Sequence, residues 1–259
     1  MHRRQFWLNL IGVGLAGRWL NASERHARTQ YYLLQTLYPK DAAERGRMHS
    51  FLRDGLLPAM GSLRPKPLLC LEALVARHTP QLAFIAGFSS LDSLLHVRAL
   101  ACSEDPSAGS LEPFGTGDGQ LFEMCASTLL EATGNSPQVT APATPPSASR
   151  VFELRDYQFP AWDSALRTRE CLVALDIGIF RRAGIQPILC AAKLRGTGIP
   201  NLMCLISFDN LAARERAWSA FAADPEWEEL RRTCLTRHGR GPSVIRMALY
   251  RATDYSPLR

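Results

Sequence analysis

Glu153, Arg155 and Tyr157 alternate along one β-prone segment, Val151 to Tyr157, with Phe152 and Leu154 between them. Successive side chains of a strand point to opposite faces, so a carboxylate, a guanidinium and a phenol share one face and the two apolar residues share the other. Such a trio can orient a small ligand, and Glu153 can accept a proton if burial raises its pKa. If Phe152 and Leu154 pack on helices, the trio points into the space between two sheets. A self-satisfied Glu153–Arg155 pair that holds the sheets in register explains the same pattern without a ligand.

Other chemistry finds little support. The chain has no glycine-rich dinucleotide loop after a strand, no P-loop, no H-E-x-x-H, no G-x-S-x-G and no Cys/His spacing of a zinc site. Its six histidines are scattered, with no two at i, i+4. Neither a metal nor a cofactor is expected. Seven cysteines are an odd number without a C-x-x-C motif, and most lie in apolar segments, where a thiol packs as a small hydrophobe. Cys190 and Cys204 fall on successive strands and could face each other. Two buried free thiols are the expected state.

The elements that carry these residues come in two copies. Tyr31 to Leu37 and Val151 to Tyr157 are β-prone segments 120 residues apart. Phe88-Ser89-Ser90-Leu91 precedes Phe208-Asp209-Asn210-Leu211 by 120 residues, and Asp105-Pro106 precedes Asp224-Pro225 by 119. This shared register predicts a tandem duplication. Four segments follow: an N-terminal signal or disordered stretch (1–28), a divergent first repeat (29–133), a Pro/Ser/Thr-rich linker (134–149) and a second repeat (150–259).

The second repeat is the cleaner one and reads β-α-β-β-α-β. A strand over Val151–Tyr157 precedes a helix over Trp162–Ala183, which ends at Gly184. Two aliphatic strands, Ile185–Lys193 and Asn201–Phe208, flank the turn-prone Arg195-Gly196-Thr197-Gly198. The next helix has Leu211, Ala217, Trp218 and Phe221 on a core face, with Arg214, Glu215 and Arg216 largely on others. Asp224 caps a further helix begun by Pro225, and Ser243–Ala252 closes the sheet. The order predicts an α+β fold: two ferredoxin-like repeats whose uncovered sheet faces pack together as an intramolecular dimeric α/β barrel.

Charge argues against one class of partner. Of 30 basic and 24 acidic residues, five arginines and only Glu24 lie in residues 1–28, so 25 basic and 23 acidic residues remain beyond them. That near-neutral remainder lacks the footprint nucleic acid requires. The same N-terminal stretch has a basic start, an apolar run from Phe6 to Gly17 and a closing Arg18, the layout of a signal peptide, while ~20 apolar residues are needed to span a bilayer. Arg3-Arg4-Gln5-Phe6 resembles the twin-arginine export motif, with a generic Sec-type signal or a retained apolar anchor as the alternative. The expected location is the periplasm or cell envelope of a bacterium, with no integral span beyond an uncleaved signal.

Phe152 to Tyr157, Asn201-Leu202, Asn210-Leu211 with Arg214, Ala217 and Trp218, and Asp224-Pro225-Glu226-Trp227 together resemble the NIPSNAP family, over roughly residues 150 to 252. The twin-arginine-like start with two copies resembles its exported bacterial branch. In the first copy Leu33 stands where the second has Glu153, and residues 96–112 contain no tryptophan. The resemblance implies the ferredoxin-like fold and the dimeric α/β barrel. It leaves the biochemical role open, the eukaryotic relatives being associated with mitochondria and with vesicle or quality-control functions. Three functions are then carried forward: a module binding a small apolar ligand or a protein partner, a cofactor-independent oxygenase or isomerase with a polar cleft between the sheets, and a tetrapyrrole-binding protein. The first is favoured, because the sequence shows architecture without an identifiable nucleophile, base or metal set. One chain would form its own pseudo-dimer, and outer strands could pair further into a homo-oligomer.

Overall fold

The structure is a computed structural model that describes residues 29–61, 68–95, 124–133, 142, 144–161, 178–238 and 241–259. Arg3 and Arg4, with the whole of the signal-like stretch, lie outside these residues, as does most of the helix expected over Trp162–Ala183. Among the described residues no helix is long and apolar enough to cross a membrane.

Eight antiparallel strands close into a barrel. In chain order they are β1 (Tyr31–Tyr38), β2 (Leu68–Val75), β3 (Leu82–Phe88), β4 (Met124–Ala132), β5 (Val151–Gln158), β6 (Gln186–Arg195), β7 (Asn201–Phe208) and β8 (Val244–Ala252). Around the barrel they run β1-β3-β2-β8-β5-β7-β6-β4. The first four and the last four therefore form sheets of the same internal order, joined edge to edge at β2–β8 and at β4–β6. Closure removes the edges that an open four-stranded sheet would leave unpaired.

Register repeats as well as order. Tyr31 pairs with Phe88 and Val151 with Phe208; Tyr38 pairs with Met124 and Gln158 with Val244. Each second pair is the first shifted by 120 residues. At the two seams Leu71 faces Ala252 and Ala191 faces Ala132, again the same pair under that shift with the partners exchanged.

Period-two alternation divides the apolar residues into an inner and an outer set. Tyr32, Leu34, Leu69, Ile85, Leu130, Phe152, Leu205 and Tyr250 belong to one cluster that fills the barrel. Leu69, Phe152 and Leu205 are fully buried there, each worth about 2 kcal/mol relative to an exposed side chain. The outer face of the first sheet packs Leu33, Leu37, Phe84 and Phe88 against Met48, Phe51 and Leu52 of a continuous helical segment. That segment passes from α1 (Ala42–Ser50) through a π-helical stretch (Phe51–Leu56) into α2 (Leu57–Gly61). Asp41 caps it by accepting from the Glu44 N–H at 2.7 Å, and Glu44 reaches back to the Lys40 N–H at 2.6 Å.

On the second sheet, α3 (Leu211–Ala222) and α4 (Pro225–His238) cover the outer face. Asn210 caps α3 through the Ala213 N–H at 2.8 Å. Asp224 accepts from the N–H groups of Glu226 and Trp227, the cap expected from the sequence. The helical turn at 178–182 ends at Gly184 with φ +86°, a left-handed conformation that favours glycine.

Two expectations are corrected here. Cys190 and Cys204 form a disulfide rather than two free thiols. They sit directly opposite in the β6–β7 ladder with Cα atoms 4.2 Å apart, the close approach of facing antiparallel residues. Leu211, expected in the core stripe of its helix, is 51% exposed, because the first turn of α3 lies beyond the edge of the packed face.

Candidate functional site

Barrel closure decides where the alternating trio points. Phe152 pairs with Tyr250 and is fully buried in the barrel interior with Leu154 against the same cluster, so Glu153, Arg155 and Tyr157 lie on the outer face, toward the helices. The expected orientation, with the trio between the sheets, is thereby reversed. The reason is demand for apolar surface: two sheets facing each other at barrel distance leave a dry interior, and Phe152 and Leu154 are the residues on this strand that can fill it.

Beneath α3, Glu153 is fully buried and shared by three donors. Its Oε1 accepts from Arg155 Nε at 2.5 Å; its Oε2 accepts from Arg214 Nε at 2.6 Å and from Trp218 Nε1 at 3.1 Å. Burial pushes this carboxyl's pKa up, but the Arg214 hydrogen bond, the charge and hydrogen bond of Arg155, and the Trp218 N–H together outweigh burial and hold it below the ordinary glutamate value. Glu153 is ionised at neutral pH and is not the proton acceptor that a burial-raised pKa would have made it. The ion pair exists, yet it ties a strand to a helix and not one sheet to the other.

Arg155 and Tyr157 continue from this cluster toward open space. The Arg155 guanidinium carbon stands 3.6 Å from the centre of the Trp218 ring, a cation–π contact, and its Nη1 lies 3.5 Å from the Tyr157 hydroxyl. Both residues line a cavity of about 280 Å³ between the outer sheet face and α3 and α4. Its walls are mainly apolar and include the rings of Phe159, Phe180, Trp218, Phe221 and Trp227. Trp218 meets Phe180 edge-on at 6.0 Å and Phe221 at 5.5 Å, and Phe221 lies 4.5 Å from Trp227. The Cys190–Cys204 disulfide forms part of the floor. The volume is at the lower end for small-molecule sites, and the apolar wall with a few convergent polar groups is their usual composition.

Arg214 was expected to face away from the core and instead completes the cluster around Glu153. The signal for it is in the spacing: Arg214 and Trp218 stand at i and i+4, and therefore on one helix face. A second polar group also escaped the sequence. Asp156, on the inner face of β5, receives Lys193 Nζ at 2.7 Å and the side-chain amide of Asn201, while Lys193 Nζ also donates to the Thr197 carbonyl at 2.9 Å. These groups are buried at one end of the barrel, on β5, β7 and β6, which strand pairing within the second sheet brings together. Among the described residues no three His, Cys, Asp or Glu side chains converge as metal ligands would.

Residues 152–256 match the sequence profile of the NIPSNAP family. The chain carries a NIPSNAP domain. That domain contains every residue of the Glu153 cluster and the cavity wall. Among curated protein sequences nothing matches the chain. Solved structures share its fold at low identity. A protein of Lactobacillus acidophilus NCFM assigned as a monooxygenase aligns at 10% identity over 89% of this chain and 99% of its own, with a TM-score of 0.53. A mutant chlorite dismutase from Candidatus Nitrospira defluvii aligns at 11% over 85% and 91%, TM-score 0.50. A NIPSNAP-like domain protein from Burkholderia xenovorans is 19% identical over 44% of this chain and 94% of its own, TM-score 0.38. The first two likenesses place the closed antiparallel barrel around the NIPSNAP domain among the dimeric α/β barrel folds.

Proposed function

We propose that this protein is a small-ligand-binding module whose site is the aromatic cavity between the outer sheet face of the NIPSNAP domain and helices α3 and α4. The observation that carries this reading is the cavity itself, a space of about 280 Å³ beside a fixed Arg155–Trp218–Glu153 cluster. A cofactor-independent oxygenase or isomerase would use the same space, not a cleft between the sheets, where side chains fill the barrel. Its base would have to be a group other than Glu153, which two arginines keep ionised and engaged.

The repeated strand order and the 120-residue register support a duplicated ferredoxin-like unit, so that one chain forms a pseudo-dimer with its ligand site in the second copy. The paired arginines at Arg3 and Arg4 ahead of an apolar run support export to the periplasm or cell envelope.

Trp218 and Trp227 line the wall, so occupancy is readable in their fluorescence. Titration with 1-naphthalenemethanol, a neutral apolar probe, is expected to give saturable quenching that Trp218→Phe and Trp227→Phe diminish. Native mass spectrometry of protein taken from its own host is expected to show bound mass. An unquenched emission together with an empty protein would sink the reading.

A further inference from the structure

We propose that the ligand of this cavity is an acid: a planar, apolar body carrying one carboxylate or comparable monoanionic group that docks on Arg155. The inference rests on the ligand-binding reading above and adds the chemical class.

Charge is the first ground. Among the described residues one buried carboxylate, Glu153, serves two largely buried guanidinium groups, Arg155 and Arg214, leaving one positive charge in excess in the cluster. Glu215 approaches Arg214 only at 3.9 Å and is 81% exposed, where water screens it. Among the described residues no carboxylate lines the cavity, whereas Arg155 and Arg231 do. Arg231 is half exposed and already paired with Glu228, so the unbalanced charge belongs to the inner end.

Geometry is the second. Glu153 takes Arg155 through Nε, and Tyr157 stands at the long distance of 3.5 Å from Nη1. Among the described residues Arg155 Nη2 has no hydrogen-bond partner, so a donor edge of a guanidinium fixed by stacking on Trp218 remains for an incoming oxyanion. That edge is held before the ligand arrives, which lowers the ordering cost of binding. Aromatic faces from Phe159, Phe180, Phe221 and Trp227 surround the remaining space and favour a flat ring system over a polar chain.

The test compares 1-naphthoate with 1-naphthalenemethanol, matched in shape and differing in charge, by tryptophan quenching and calorimetry on the full chain at pH 7. The acid is expected to bind the native protein on the order of tenfold more tightly than the alcohol, the scale of one charge-assisted hydrogen bond. Arg155→Met, which keeps an unbranched apolar side chain at this position, is expected to abolish that preference, so that acid and alcohol bind the variant with equal affinity. If the alcohol binds the native protein as tightly as the acid, the acid assignment is overturned and the cavity reading stands. Failure of both probes to bind overturns the cavity reading, and the acid assignment with it. The native-protein comparison decides the matter even if the Arg155 variant does not fold.

Discussion

The outer faces of the two sheets are built on one register and solved differently. At β1 the three outward positions are Leu33, Gln35 and Leu37, all buried, in a helix-covered apolar cluster. At β5, the positions 120 residues on, they are Glu153, Arg155 and Tyr157, an ion pair reaching into a cavity. The facing pair on the next two strands diverges too: Cys70 opposes Phe84 in the first sheet, and Cys190 opposes Cys204 in the second. Phe84 fills space that in the second sheet a compact disulfide leaves open. The first sheet has its outer face given over to packing; the second has a polar anchor and a void, which costs stability and leaves room for the proposed ligand.

Converting the second face to the first should have the largest effect. Glu153→Leu leaves Arg155, Arg214 and the Trp218 N–H without their acceptor, and a loss of ~3–5 kcal/mol is expected in urea unfolding, as for a buried pair deprived of one member. Glu153→Leu combined with Arg214→Met should cost less than the two single losses summed, since one of the two stranded charges is gone. A double variant as damaging as the sum would mean that the cluster is not coupled.

Acid should act on the same pair. The folded carboxyl has a pKa below its ordinary value of about 4.3, so near that pH the unfolded chain binds more protons than the folded one. The stabilisation Glu153 provides is therefore present above that pH and is lost as the pH falls through the lower folded value. Melting curves of the native protein and Glu153→Gln, taken from pH 7 down to 3, should converge toward the acid end. Parallel curves would contradict the assignment.

The disulfide gives a smaller contrast. Cys190→Ala with Cys204→Ala is expected to lose up to ~3 kcal/mol, the loop-closure value for a separation of 14 residues. Cys70→Ala in the first sheet, where Cys70 is a free buried thiol, should leave the reductant dependence of the native protein unchanged. Equal reductant sensitivity of native protein and double alanine variant would break this part of the comparison.

The smallest effect should be the same in both halves of the barrel. Ser90 accepts from the Ser93 N–H at 3.1 Å and Asn210 from the Ala213 N–H at 2.8 Å, side-chain caps at positions 120 residues apart. Ser90→Ala and Asn210→Ala are each expected to lower stability by ~1 kcal/mol, measured by thermal unfolding.

Elements with local causes were legible before the fold was known. Alternation gave β5, the Asn201–Phe208 strand emerged with the expected bounds, and Asp224-Pro225 marked the start of α4 because capping chemistry acts within four residues. The trio of Glu153, Arg155 and Tyr157 was legible as a group for the same reason. Its direction was not, since period two says which residues share a face and not which face meets the barrel. Arg214 was assigned to the wrong side because a charged residue near an exposed helix start usually faces water, and only the buried carboxylate below it reverses that preference.

By itself the sequence determined the local conformations, the 120-residue register and the set of polar groups available to a site, all consequences of steric and capping rules that act over a few residues. The tertiary structure alone decided that β2 meets β8 and β4 meets β6, that Phe152 turns inward and Glu153 outward, and that Cys190 bonds to Cys204. Those outcomes depend on which apolar surfaces can be buried together once eight strands close, a condition set by residues far apart in the chain.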